Sequence, residues 1–487
     1  MREAKIHSVK YNFVMNFILT STQFIFPLIT FPYVSRVLQA AGNGKVSFAA
    51  SVANYFIMVA SLGIPTYGIR ACAKVRDNKE QLSKTVQELF LINLVMTVLV
   101  TFTYLLCIFC VPRFQEDRIL FLINGINIVL NMFGMSWLFQ ALEQYDYITF
   151  RSIAFKLISI VLMFVLVHEP NDYVIYGAIT VFAAVGSNIL NFIIVRRLID
   201  FRFTGDYDFK QHIKPILILF SQSLAVSIYT NLDTVMLGFM KTPVDVGYYN
   251  VAEKLRKLLL SLVSSLGGVL LPRMSYYLKN NKVNEYKSYA LMALNFSLLM
   301  SVPLAVYFTF YSKEVILFLA GPGYEGAVSA MQLITIAVIP TGLTSVLGIQ
   351  VLTSMEKEKY VLLSVVVGAI VDFLLNLAFI PQLGAAGASL ATMIAEFSVL
   401  VVQVIYTKSL LWDLKKGFRI QWYILLTIIS VTASRSVTLI NIKSNFITLL
   451  CTSVVFFGVY GIGLILIREP LINSTLNGIF IKMKKKS

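Results

Sequence analysis

The sequence predicts an all-α polytopic membrane protein of about fourteen transmembrane helices. Three observations predict it. Of 487 residues, 57% are hydrophobic and only 14% charged, too few polar side chains to cover the surface of a water-soluble chain this long. Apolar runs long enough to cross ~30 Å of hydrocarbon recur from one end to the other. Between those runs the basic residues alternate in density, as membrane topology requires.

Taken in order, the candidate spans lie near 11–33, 46–69, 85–110, 119–141, 150–167, 174–195, 214–239, 247–271, 288–310, 327–352, 360–380, 385–407, 421–440 and 446–467. The first is longer than a signal-peptide core and has no A-x-A cleavage site, which makes it a retained helix. With the N-terminus inside, Lys214 and the segments 1–10, 70–84, 142–152, 196–213, 272–287, 353–359, 408–420 and 468–487 hold 29 of the 41 Lys and Arg. The outside connections hold seven: Arg36, Lys45, Arg113, Arg118, Lys241, Lys313 and Lys443. Both termini are therefore expected in the cytoplasm. The formal net charge of +16 follows from this asymmetry and does not call for a nucleic-acid partner.

Two segments read alike. "GKVSFAAS" (44–51) and "GYYNVAEK" (247–254) share G-x-x-[Ser/Asn]-x-Ala at an offset of 203, and "YGAITV" (176–181) and "AGASLA" (386–391) echo at 210. Two parallel six-helix repeats account for both. The expected organisation is an N-terminal lobe (1–195), a polar linker (196–213), a C-terminal lobe (214–407), and two added helices with a basic tail (408–487). Connections between spans are short, which leaves no room for a soluble catalytic domain.

Five basic residues fall inside spans: Lys156, Lys254, Arg256, Lys257 and Arg435. Lys156 and Arg435 lie near helix ends and can snorkel. The other three share the eighth span with Glu253, where a charge at mid-bilayer costs about 2.5–3.5 kcal/mol. Glu253 can pair with Arg256 at i,i+3 or Lys257 at i,i+4, and the stretch keeps an excess of positive charge. It is either a self-paired cluster near the outer interface or the lining of a water-filled cavity that receives an anion. Asp233, Asp372 and Glu396 are the remaining acidic residues considered inside spans. Each either carries a coupling proton or cation or holds helices together as a partner to Lys and Arg.

Other signals are weaker. "GPGYEG" (321–326) matches G-x-G-x-x-G but follows a membrane helix rather than a strand. Cys107 and Cys110 close a lipid-length helix, a packing role, while His7, His168 and His212 stand singly. No metal, cofactor or catalytic site is expected.

Several stretches together resemble the Wzx-type oligosaccharide flippases, the polysaccharide-transporter branch of the MOP exporter superfamily. They are "PLITFPYVSRVLQAAGNGKVSFAASVANYFIMVASLGIPTYGIRACAKVRDNKEQLSK" (27–84), "NLDTVMLGFMKTPVDVGYYNVAEKL" (231–255), "AGPGYEGAVSAMQLI" (320–334) and "FIPQLGAAGASLATMIAE" (379–396). One departure is "VLQAAGNGK", where the family pattern has a Leu-Gly pair followed by an acidic or polar turn. The resemblance implies a two-lobed MATE/MOP-like fold in a bacterial cytoplasmic membrane. It also implies a cationic central cavity and a substrate, undecaprenyl-diphosphate-linked oligosaccharide, flipped to the outer leaflet for surface-polysaccharide (O-antigen or capsule) assembly. Lys254, Arg256 and Lys257 are then the candidate substrate-binding residues, with Arg36 and Arg70 as gate contacts or snorkelling anchors. Asp233, Glu253, Asp372 and Glu396 are the ion-coupling or structural candidates. Membrane lipid, a polysaccharide polymerase and assembly proteins are the expected partners. Two other classes are weighed. A cation-coupled drug exporter of the same superfamily would favour an acidic cavity, and a membrane-embedded glycosyltransferase or polymerase would need a sizeable outside loop.

Overall fold

The computed structural model describes residues 9–202, 206–265, 267–439 and 444–473. Among them the ordered elements are all helical. Helix α1 runs from Val9 to Ser61, but Gln39 at φ 57°, ψ −179° breaks it into two helices. That backbone region is costly for a residue with a side chain. The outside connection expected at 34–45 is thus a one-residue break, with Arg36 and Lys45 both helical. Leu62 and Gly63, both at positive φ, redirect the chain into α2 (Ile64–Val75), which has Pro65 in its first turn.

Helix α3 (Lys79–Cys110) begins before the expected start at 85 because Asn78 caps it, its Oδ1 accepting from the backbone N–H of Glu80 and Gln81 at 3.1 Å each. After the single turn α4 (Pro112–Gln115), the fourth span is split into α5 (Arg118–Met132) and α6 (Ser136–Ala141) by Met135 at φ 39°. α7 (Tyr145–Leu166) is followed by α8 (Tyr173–Val181), a π turn at Phe182–Gly186 and α9 (Asn188–Leu198). α10 (Lys210–Met240) then packs on α1 and α2.

The eighth span is two helices, α11 (Pro243–Val263) and α12 (Gly267–Lys279). α13 (Val283–Phe310) and α14 (Ser312–Leu319) lead to α15 (Ala327–Ile336), α16 (Val338–Thr344) and a π segment, Ser345–Leu352. α17 (Glu358–Leu383) and α18 (Ala385–Leu414) pack closely on each other, and α19 (Ile420–Thr438) pairs with α20 (Asn445–Leu466). The last pair docks on α13: Tyr460 donates to the Leu299 carbonyl at 2.9 Å and Tyr307 to the Leu449 carbonyl at 3.2 Å.

Eleven stretches of the described residues are long and apolar enough to cross a membrane. The first of these, Val14–Val75, holds two expected spans; α10 and α11–α12, outside the eleven, correspond to two more, giving about fourteen spans in all. Charge keeps α11 out, since Asp245, Glu253, Lys254, Arg256 and Lys257 all lie on it. Large apolar side chains such as Phe102, Ile405 and Val454 stay exposed on the helices, as a protein dissolved in lipid requires.

By packing, the chain divides into two compact units, residues 1–247 and 248–487. α10, which follows the polar linker, belongs to the first. In that unit the glycines opening the two echoed segments stand against each other's neighbourhood. A Cβ on Gly44 would lie 1.7 Å from the Pro243 carbonyl oxygen and 2.9 Å from the Gly247 nitrogen, and one on Gly247 would lie 2.1 Å from the Ala40 carbonyl oxygen. Only hydrogen fits at such backbone approaches. Gly44→Val and Gly247→Val should each cut the yield of monodisperse, detergent-extracted protein at least tenfold. Gly461→Ala, where a Cβ meets nothing within 4 Å, should match the wild type.

Candidate functional site

The charges of α11 obey helical geometry. Residues 253, 256 and 257 share one face, and 254 is turned about 100° away. On that shared face Arg256 grips Glu253 with two nitrogens, Nε to Oε2 at 2.6 Å and Nη2 to Oε1 at 3.0 Å. Its Nη1 donates to Oε1 of Glu396, on α18, at 3.1 Å. Lys257 Nζ stands 3.4 Å from the same Glu253 Oε1. Glu253, Arg256 and Glu396 are 7%, 8% and 3% exposed, whereas the Lys257 side chain is 54% exposed. One guanidinium therefore bridges carboxylates from two helices, a fork geometry that an ammonium could not reproduce.

Toward the start of α11 a second, uncharged rung joins the same helices, with Tyr249 Oη 3.4 Å from Thr392 Oγ1. Counting Glu396 with the α11 cluster, two carboxylates face three cations. Of the three, Lys254 is half-buried and Lys257 exposed, and those two ammonium groups repel each other.

The other sequence candidates are placed as follows. Asp372 is buried on α17 in a stripe with Ser364, Gly368 and Asn376, and about two turns before it Gln403 of α18 donates to Ser364 Oγ at 3.0 Å. Asp233 is buried on α10, and Arg36 and Arg70 are exposed on α1 and α2, all in the first unit. Arg36 Nη1 donates to the Pro32 carbonyl at 2.5 Å. Of the two other basic residues within spans, Lys156 donates to Thr22 Oγ1 at 3.0 Å and Arg435 lies over the Phe310 ring at 5.4 Å.

One buried polar chain escapes the sequence reading. His212, in the first turn of α10, faces Glu88 Oε2 through Nε2 at 2.8 Å and the Tyr67 hydroxyl through Nδ1 at 2.9 Å. The Asp208 N–H donates to Glu88 Oε1 at 2.7 Å. This fastens the end of the polar linker to α2 and α3. The only sequence signal was a carboxylate just inside the third span, with nothing to pair it to a histidine 124 residues away.

Long apolar helices that bury paired charges define a polytopic membrane protein. Its fold is shared with solved structures of the lipid II flippase MurJ in an inward closed conformation (TM-score 0.73, 16% identity, 94% of this chain and 100% of that one) and of an inward-facing multidrug-resistance MATE transporter of the MOP superfamily (TM-score 0.59, 13% identity, 81% and 99%). The chain belongs to the polysaccharide biosynthesis protein family, which matches residues 9–278, and the MatE family matches 218–378. The putative O-antigen transporter of Escherichia coli K12 is 23% identical over 411 residues, 82% of this chain and 97% of that protein. Its counterpart from Shigella dysenteriae is 24% identical over 403 residues, 81% and 98%. The Wzx-type, MOP-superfamily character read from the sequence is borne out, and the chain is a transporter rather than an enzyme.

Breaking the ion-pair network tests its weight. Arg256→Ala leaves two buried carboxylates without their guanidinium and should lower stability by about 3–5 kcal/mol, read as a lower Tm in detergent. Adding Glu253→Gln and Glu396→Gln removes the stranded charges and should recover most of that loss. Losses that simply add would contradict the pairing.

Proposed function

We propose that this protein flips undecaprenyl-diphosphate-linked oligosaccharide repeat units from the inner to the outer leaflet of a bacterial cytoplasmic membrane. It would do so by opening alternately to the two sides and would deliver its cargo to polysaccharide polymerase and assembly proteins. The observation that carries this reading is the arrangement on α11. Arg256 bridges Glu253 and Glu396, and that clamp fixes a helix that also carries the ammonium groups of Lys254 and Lys257, so that the cluster has one positive charge in excess. A lipid diphosphate losing its hydration would take those two ammonium groups as its contacts, with Lys257 exchanging Glu253 for phosphate. Arg256 would then be a positioning residue, and the exposed Arg36 and Arg70 would guide the headgroup at the helix ends. The cationic excess disfavours cationic drugs as cargo.

The membrane supplies a driving force. Moving two negative charges outward across a membrane whose inside is 100 mV negative is favourable by about 4.6 kcal/mol. Asp233 and Asp372, both buried on spanning helices, are the groups we assign to an additional coupling proton or cation. In cells dependent on this protein, Lys254→Ala/Lys257→Ala at matched protein level should reduce surface polysaccharide at least tenfold, while Lys254→Arg/Lys257→Arg should retain most of it. Unchanged polymer in the double alanine variant would remove the lysines from the substrate path.

A further inference from the structure

A cavity of about 1000 Å³ lies within the second unit, between α13, the connection from α18 to α19, and the end of α20. Its floor is built rather than incidental. Buried Asn295 of α13 donates through Nδ2 to the Gly417 carbonyl at 3.0 Å and accepts the Arg419 N–H at Oδ1, 3.3 Å away. These two bonds hold residues 417–419 in place. Glu469, buried just past α20, accepts from Arg419 Nη1 at 3.3 Å and fixes the guanidinium, which stays about one-third exposed. Lys416 is exposed on the rim. Immediately beyond Arg419 begins α19, a 19-residue helix whose first turn has no side-chain cap, so its N–H groups add positive potential to the same place.

Apart from Ser288 and Gln421, the remaining lining is apolar. Trp422 and Leu466, both on the cavity wall, are 43% and 77% exposed, a surface that water would not favour and acyl chains would cover. The cavity opens at connections that the Lys/Arg distribution assigns to the cytoplasmic face, where the leaflet carries anionic lipid.

We propose that this cavity binds the phosphate headgroup of an anionic phospholipid of the cytoplasmic leaflet. Lys416, Arg419 and the α19 N-terminus take the phosphate, and Trp422 and Leu466 take the start of the acyl chains. Lys416 and Arg419 outweigh Glu469 by one positive charge, which suits a phosphodiester and rejects no glycerol headgroup by size. The site is independent of the α11 lysines and of the identity of the transported lipid.

The test uses the purified full-length protein in detergent, with phosphatidylglycerol or phosphatidylcholine added, and bound lipid counted by native mass spectrometry. The wild type should retain phosphatidylglycerol at least fivefold over phosphatidylcholine. Lys416→Glu should lose that preference, and so should Arg419→Gln/Glu469→Gln, which removes the guanidinium without stranding the carboxylate. Lys254→Ala/Lys257→Ala should keep the preference. Equal retention of the two lipids by the wild type, or undiminished preference in folded Lys416→Glu and Arg419→Gln/Glu469→Gln, would overturn the proposal. Displacement of the lipid by millimolar glycerol 1-phosphate would also overturn it, assigning the cavity to soluble phosphate instead.

Discussion

The second unit turns on one guanidinium held between two carboxylates. Hydrocarbon gives a bare charge no solvation, so Arg256 is tolerable on α11 only because Glu253 and Glu396 enclose it. The same contact gives α11 a fixed register on α18. Tyr249 and Thr392 repeat the register with an uncharged rung, so the two helices are joined by polar contacts where packing of apolar surface alone supplies little specificity in lipid. Lys257 is attached to this clamp through its edge, close enough to Glu253 to be steadied and exposed enough to leave it.

Hydropathy made most of the fold legible. Spans such as 85–110, 385–407 and 446–467 correspond to α3, α18 and α20 because uninterrupted apolar runs leave the backbone no alternative to helix in a membrane. What hydropathy could not show is where a helix bends. Gln39 has no Pro or Gly beside it, while Gly134 before Met135 and the Gly267–Gly268 pair that opens α12 are local signals that a hydropathy scan passes over. The capping Asn78 is a local signal that does extend α3 at its start. The placement of α10 shows a different limit: the linker ends before it, yet its packing partners are α1 and α2, and chain order alone does not say on which neighbour a helix will lie.

The charged residues show the same division. Spacing of three and four on α11 was enough to pair Glu253 with Arg256 and Lys257, because helix geometry is local. Glu396 was recognisable as a carboxylate needing a partner, but the partner is 140 residues away. Glu88 and His212 are joined over a comparable separation. With Glu396 counted, the α11 cluster keeps one positive charge in excess, in a chain that belongs to the polysaccharide biosynthesis protein family and is similar to putative O-antigen transporters.

The central claim is that an anionic, diphosphate-bearing lipid crosses the bilayer through this protein. Its most direct measurement is the rate at which fluorescent undecaprenyl-diphosphate oligosaccharide changes leaflet in proteoliposomes of defined orientation. The account gives protein-dependent movement that accelerates when the potential is negative on the cytoplasmic side and slows when the potential is reversed. Equal rates for an uncharged lipid bearing the same sugars, or no movement of the diphosphate lipid by correctly folded protein, would contradict it.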